Sequence, residues 1–214
     1  MPAGHQPRRV LAVGAHPDDI EIGCGGALIS HVDAGDEVTM LVMTDGALGK
    51  RQSGTEHLDR RAEALAAAEI MGARVAFGPF RDGNVPMTSE AVDFIEATIR
   101  EYDIDTLYCH GVEDSHQDHV LVGRASAAAG RRLRRVLHYQ GPTTGRFHPT
   151  IYVDITKQFD RKVSVLSQHE SQVAAATTLD LDVVASTARY WGSRSRLGLA
   201  EAFEVSRFAW SITD

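Results

Sequence analysis

The chain has 214 residues, enough for one domain with a sizeable core, and its 43% hydrophobic and 24% charged residues match an ordinary soluble protein. A formal net charge of −7 argues against a nucleic-acid scaffold, which needs a basic face, and two cysteines, Cys24 and Cys109, exclude a disulfide framework and a thiolate zinc cluster. No apolar run approaches ~18 residues, so no membrane span is expected, and the opening "MPAGHQPRR" lacks an apolar signal core, which makes the cytoplasm the expected compartment.

Residues 1–7 are expected to be a flexible lead. "RRVLAVGAH" (8–16) then reads as a first strand, and helix-like text, "ALISHVDAG", follows the polar stretch after it. "EVTMLVMT" (37–44) is a second strand, and "LDRRAEALAAAEIMG" (58–72) is an alanine-rich helix stopped by Gly72. "RVAFGPF" (74–80) is a third strand, and "TSEAVDFIEATIREY" (88–102) a helix capped by Thr88 or Ser89. "IDTLYCH" (104–110) is a fourth strand, "HVLVGRASAAAGRRL" (119–133) a helix, and "RRVLHYQ" (134–140) and "TIYVDIT" (150–156) are further strands. "RRLRR" at 131–135 reads as a solvated helix end. Beyond 157 the alternation lapses into two helical stretches and a closing strand, "AEAFEVSRFAW", a C-terminal elaboration (157–214) of one domain spanning 1–214. Alternating strands and helices predict a parallel sheet covered on both faces, with right-handed crossovers.

Ligands of such sheets bind beyond the carboxyl ends of the strands, where the strand order reverses. The loop after strand one, "GAHPDDIEIGCGG" (14–26), offers His16, Asp18, Asp19 and Glu21. The loop after strand four offers His110, Glu113, Asp114, His116, Asp118 and His119. His-Pro-Asp-Asp alone suits a turn, and Ser-His-Gln-Asp-His alone suits a helix cap. Their shared position at the ends of strands one and four favours a divalent metal, since imidazole and carboxylate together suit zinc with one position left open. A nucleotide cradle fits less well: "GCGG" falls late and does not form G-x-G-x-x-G. Its glycines are expected to let the next helix pack close to the metal loop.

These residues resemble the LmbE-like or PIG-L zinc-dependent N-deacetylases, a family that includes the deacetylases of the N-acetylglucosaminyl-phosphatidylinositol, mycothiol and bacillithiol pathways. "AHPDD" (15–19) matches the family's first motif and "HQDH" (116–119) its second. Weaker matches are "TDG" (44–46), Arg60 and Glu63 as R-x-x-E, "YVDIT" (152–156), Lys162 to Gln172, and "AEAF" (200–203). The resemblance covers nearly the whole chain. It implies a Rossmann-like three-layer α/β/α sandwich with a mostly parallel sheet. It further implies a small N-acetylated substrate and homo-oligomers, trimers or hexamers, as in several relatives.

Residue by residue, it implies that His16, Asp19 and His119 bind Zn2+, with Fe2+ also suited to two histidines and one aspartate. Asp18 corresponds to the general base, His116 to the group that stabilises the oxyanion or protonates the leaving amine, and Asp118 to a carboxylate orienting His116. Arg60 corresponds to a substrate-contacting arginine. Asp45 is a candidate for a sugar hydroxyl, and His148 for the substrate mouth. Where mycothiol-type relatives carry a tyrosine this chain has Asp114, so His116 and the metal are left to hold the oxyanion. Specificity is expected in loops 46–57, 81–88 and 141–149. His5, His31, His57 and His138 read as surface or packing residues, His169 as structural or near the site, and Trp191 and Trp210 as core.

Overall fold

The computed structural model describes residues 6–49, 59–86, 88–173 and 179–210. His5, His57, "KRQ" at 50–52 and residues 1–5 of the expected N-terminal lead fall outside them, as does most of loop 46–57. In chain order the elements are β1 (Arg9–Gly14), α1 (Asp19–Ala34), β2 (Glu37–Thr44), α2 (Arg60–Met71), β3 (Arg74–Phe80), α3 (Ser89–Glu101), β4 (Thr106–His110), α4 (Gln117–Ala129), β5 (Arg135–Tyr139), β6 (Ile151–Asp154), α5 (Phe159–Leu166), α6 (Glu170–Val173), α7 (Leu181–Ser195) and β7 (Ala200–Phe208). The seven strands form one sheet in the order β3-β2-β1-β4-β5-β7-β6. β1, β2, β3, β4 and β5 pair in parallel, and β7 runs antiparallel to both of its neighbours.

Covering on both faces follows from the sequence of β1. Val10 and Ala12 point into one apolar cluster, with Ile20, Leu28, Met71 and Val165 of the helices α1, α2 and α5. Leu11 and Val13 point into the other, with Ile95 of α3 and Val122 of α4. A strand buried on both faces needs apolar residues at every position rather than at alternate ones, and "VLAV" supplies them. Among the described residues no helix is long and apolar enough to cross a membrane, and both cysteines are free and buried.

Three sequence expectations change. Arg135 does not end a helix: it opens β5, is buried, and faces Asp105 at 3.8 Å, while Arg131 and Arg132 stay exposed in the turn before it. Trp191 is buried beside Ala200 and Ala202, but Trp210 is 77% exposed. The late glycines lie within α1, which starts at Asp19, and they serve the far side of that helix. A Cβ at Gly23 would overlap the Tyr139 ring, and one at Gly26 would stand 2.7 Å from Ile155. That close approach lets Tyr139 donate its hydroxyl to Val13 O at 2.8 Å, fixing the end of β1.

Gly23→Ala is therefore expected to cost ~1–3 kcal/mol in denaturant unfolding, through overpacking against Tyr139. Gly25→Ala is the control. A Cβ there meets Lys162 Cγ at 3.7 Å and Glu21 Cβ at 3.9 Å, ordinary van der Waals contacts, and the helical alanine is expected to leave stability unchanged or raise it by up to ~1 kcal/mol.

Candidate active site and metal centre

β1 and β4 are hydrogen-bonded neighbours at the point where the strand order reverses, so the loops after them share one crevice. Main-chain bonds hold the crevice open in a set shape. Ala15 N–H donates to His110 Nε2 at 3.1 Å, Thr44 N–H donates to Ala15 O at 2.9 Å, and His16 N–H donates to Asp19 Oδ2 at 2.7 Å. Asp18 caps α1 with φ 111°, left-handed backbone in a residue that is not glycine. Such a conformation costs about 1–3 kcal/mol and persists only where its surroundings impose it. Arg60, buried at the start of α2, imposes it. Its guanidinium donates to Pro17 O and to Gly46 O at 2.9 Å, and stands 3.2 Å from Asp18 Oδ2.

The two motifs then meet through Asp19. Its Oδ2 lies 3.2 Å from His16 Nδ1 and its Oδ1 lies 3.3 Å from His119 Nε2. His110, fully buried, stacks on His119 with ring centroids 4.2 Å apart and brings Nε2 to 3.2 Å from Asp19 Oδ2. His116 stacks on the other side of His119 at 4.5 Å. Three sets of donors converge closely enough to hold an ion, with all atoms in a set within 4.8 Å: His16, His116 and His119; Asp19, His110 and His119; His16, Asp82 and Asp118.

The electrostatics of this cluster fit a cation. Burial opposes charge on His16, yet the carboxylates of Asp118, Asp19 and Asp82 push it up to about 12. Burial opposes charge on His119, yet Asp19 and Asp114 push it up to about 10. Burial would raise Asp19, but His119 and His110 hold it well below the usual carboxylate range. A site that forces protons onto buried imidazoles is short of positive charge. A divalent ion supplies that charge and takes up the imidazole lone pairs, releasing the protons. Asp118 Oδ1, buried and without a hydrogen-bond partner among the described residues, adds unspent donor capacity.

The other site residues sort by what they touch. The Asp118 carboxylate is turned to His16 Nε2, at 3.3 Å, and to the Gly83 N–H, at 2.8 Å, rather than to His116. His116 is oriented instead by its own Nδ1, which accepts the Asp118 main-chain N–H at 3.3 Å and so leaves the ring proton on Nε2. Burial and the neighbouring His119 and His16 lower its pKa, keeping it neutral. Asp114, in the tyrosine position of some relatives, binds inward: Oδ2 lies 3.3 Å from His119 Nδ1, and Oδ1 accepts from the His116 N–H at 2.8 Å and from Thr143 Oγ1 at 2.6 Å. A carboxylate behind an imidazole fixes its tautomer and orientation.

Arg60 lines the cavity, but the donors described above are spent on the protein. Asp45 is exposed, its Oδ1 accepting from the N–H groups of Ala47 and Asp82. His148 lines a different cavity, beside His138 and Ser206, and does not reach the substrate mouth. The catalytic cavity, about 660 Å3, is completed by Leu48 and Gly49, Asp82 and Gly83, and Pro142 and Thr143, which come from the described parts of the three loops expected to set specificity.

Two features escape the sequence reading. Asp82 approaches His16 Nε2 at 3.1 Å while accepting from Leu48 N–H at 2.8 Å, so it ties the loops after β2 and β3 to the centre. His169, fully buried, pairs with Glu21 at 2.9 Å, and Glu63 accepts from both the N–H and the hydroxyl of Ser171 at 2.7 Å. These contacts fasten α6, and with it Gln172 in the cavity wall, onto α1 and α2.

The imidazoles and carboxylates thus gather at the switch point of a doubly wound sheet, where such folds bind their ligands. The model of the PIG-L family, GlcNAc-PI de-N-acetylase, matches residues 11–130, which include both motif loops, and the chain belongs to that family. It is a deacetylase, a hydrolase acting on amides. The uncharacterized deacetylase YaiS of Escherichia coli is 32% identical over 181 residues, covering 80% of this chain and 95% of its own. A probable N-acetyl-alpha-D-glucosaminyl L-malate deacetylase of Bacillus cereus is 33% identical over 192 residues, covering 78% and 85%. The solved N,N'-diacetylchitobiose deacetylase of Pyrococcus horikoshii shares the fold, with a TM-score of 0.80 at 21% identity over 92% of this chain and 83% of that one.

Arg60→Lys keeps the charge but cannot bridge Pro17 O and Gly46 O together. We expect kcat to fall ~10²-fold through misplacement of Asp18, with KM within about twofold of the parent. A raised KM at unchanged kcat would return Arg60 to the substrate.

Proposed function

We propose that this enzyme removes the acetyl group from an N-acetylated amino sugar carried in a larger conjugate, releasing acetate and the free amine. The observation that carries this reading is the convergence of the His16–Asp19 and His116–His119 loops on one cavity, with Asp18 held at its edge by Arg60. The family description and the Bacillus cereus relative, both concerned with N-acetylglucosaminyl compounds, support the sugar. We assign His16, Asp19 and His119 as the residues that hold the cation: each belongs to one or more of the three converging donor sets, and among the described residues Asp19 is the carboxylate within 3.3 Å of both imidazoles. Two imidazoles and one carboxylate suit Zn2+ and also Fe2+.

A bound divalent cation lowers the pKa of water to about 7 and polarises the carbonyl under attack. The protein does the rest. Burial pushes Asp18 up to about 6 against the pull of Arg60, which makes its carboxylate a competent base near neutral pH. It accepts the proton of the attacking water. His116, neutral with its proton on Nε2, donates a hydrogen bond to the developing oxyanion and can pass that proton to the departing nitrogen. Asp114 and Asp118, bonded to His119 and His16, hold the imidazoles that would ligate the ion.

Chelation that strips the metal is expected to abolish acetate release from N-acetylglucosamine conjugates. Separate add-back of Zn2+ and Fe2+ then identifies the ion. Activity that survives verified metal removal refutes the reading. Asp18→Asn is expected to lose ~10²–10⁴ in kcat while metal content stays at the parent level. Loss of the metal in that variant would make Asp18 a ligand.

A further inference from the structure

A second cavity, about 290 Å3, shares Ile22 and Pro142 with the catalytic one and extends away from it beneath α7. Its α7 wall, formed by Val183, Val184, Thr187, Ala188 and Trp191, is apolar but for Thr187, with Leu179 just before the helix. Polar side chains also line it, but their bonding is largely complete. Lys162 and Glu201 pair at 2.5 Å. Lys162 Nζ also donates to Ile22 O at 2.8 Å, and the two Glu201 oxygens accept from Gly26 and Ala27 N–H, each at 2.8 Å. Asp180 caps α7 through the N–H groups of Asp182 and Val183, and Gln140 Oε1 accepts from Trp191 Nε1 at 3.1 Å. Every charged side chain lining this cavity is therefore already engaged by the protein. An occupant gains there by burying apolar surface, not by forming ion pairs. Outward, the cavity continues into an open trough of about 440 Å3, with Val183 and Trp191 in both and Tyr190 at the rim. Val183 and Tyr190 are 59% and 55% exposed.

We propose that this cavity is a subsite for an alkyl or aryl aglycone of the N-acetylated sugar. The acetamide lies in the catalytic cavity, and the apolar group passes Ile22 and Pro142 to lie against α7. This assignment rests on the deacetylase reading above for the placement of the sugar, and its test separates the two.

The probes are the methyl and hexyl β-glycosides of N-acetylglucosamine and the methyl glycoside of N-hexanoylglucosamine, with metal-loaded enzyme carrying Trp210→Phe so that Trp191 is the emitting indole. Binding is read from Trp191 fluorescence, and acetate or hexanoate release is read separately. The hexyl glycoside is expected to bind at least about tenfold more tightly than the methyl glycoside, within the limit of roughly fourfold per buried methylene. Ala188→Phe, which fills the cavity, and Val183→Glu, an exposed change at its rim that preserves the fold, are each expected to reduce that preference to within about twofold. Both should leave deacetylation of the methyl glycoside near the parent rate. Equal binding of the two glycosides, or a preference that survives in a folded Val183→Glu protein, overturns the subsite. Tighter binding of the N-hexanoyl probe than of the hexyl glycoside, lost in the same variants, also overturns it, by giving the cavity to the acyl chain. If the glycosides bind with the expected preference and neither is deacetylated, the subsite stands and the sugar deacetylase reading fails.

Discussion

The adjacency of β1 and β4 is the constraint on which the rest of the site depends. Each strand ends in a loop dense with histidine and aspartate, and parallel pairing at the reversal point leaves those loops nowhere to go but toward each other. With Asp82 from the loop after β3, five carboxylates (Asp18, Asp19, Asp82, Asp114 and Asp118) and four imidazoles (His16, His110, His116 and His119) then crowd one largely buried space. The protein answers with charge: protons on His16 and His119 where the carboxylates demand them, and donor sets that converge closely enough to hold an ion. The affinity for a cation is thus a property of the topology as much as of the ligands. The same residues on strands two places apart would be ordinary surface groups.

Around that centre runs a layer of contacts whose work is orientation. Arg60 stabilises a backbone conformation that Asp18 would otherwise leave. Asp114 faces inward, its carboxylate shared between His119, the His116 N–H and Thr143. Asp82 and Asp118 approach the same nitrogen of His16 from different loops, which links the shape of the cavity floor to the position of that one ring. Groups that bind nothing themselves decide where the reactive groups stand.

Much of this was legible in the amino-acid sequence because the chemistry is contiguous there. "AHPDD" and "HQDH" each place several functional residues within a few positions, at the carboxyl ends of apolar runs that can only be buried strands. What was not legible is non-local. "RDGN" around Asp82 reads as a turn, and nothing in it announces that the turn folds over His16, 66 positions away. The direction of β7 is equally silent, since apolar patterning reports burial and not polarity of the strand. Arg135 was misread because a run of arginines suggests solvent, while its burial depends on Asp105 across the β4–β5 pair. His148 follows a strand of the sheet, yet the long return to β6 carries it to another face.

The Lys162–Glu201 pair has a consequence for how the molecule is made. Glu201 holds two amide groups in the middle of α1, the helix that begins at the first metal motif, and it does so across 175 and 174 positions. The packing of that helix is therefore complete only when nearly the whole chain has left the ribosome. Contacts of such sequence separation form late and slowly. An emerging chain would carry α1 without the carboxylate that binds its inner amides, and that part of its packing is completed only as the closing antiparallel strand docks.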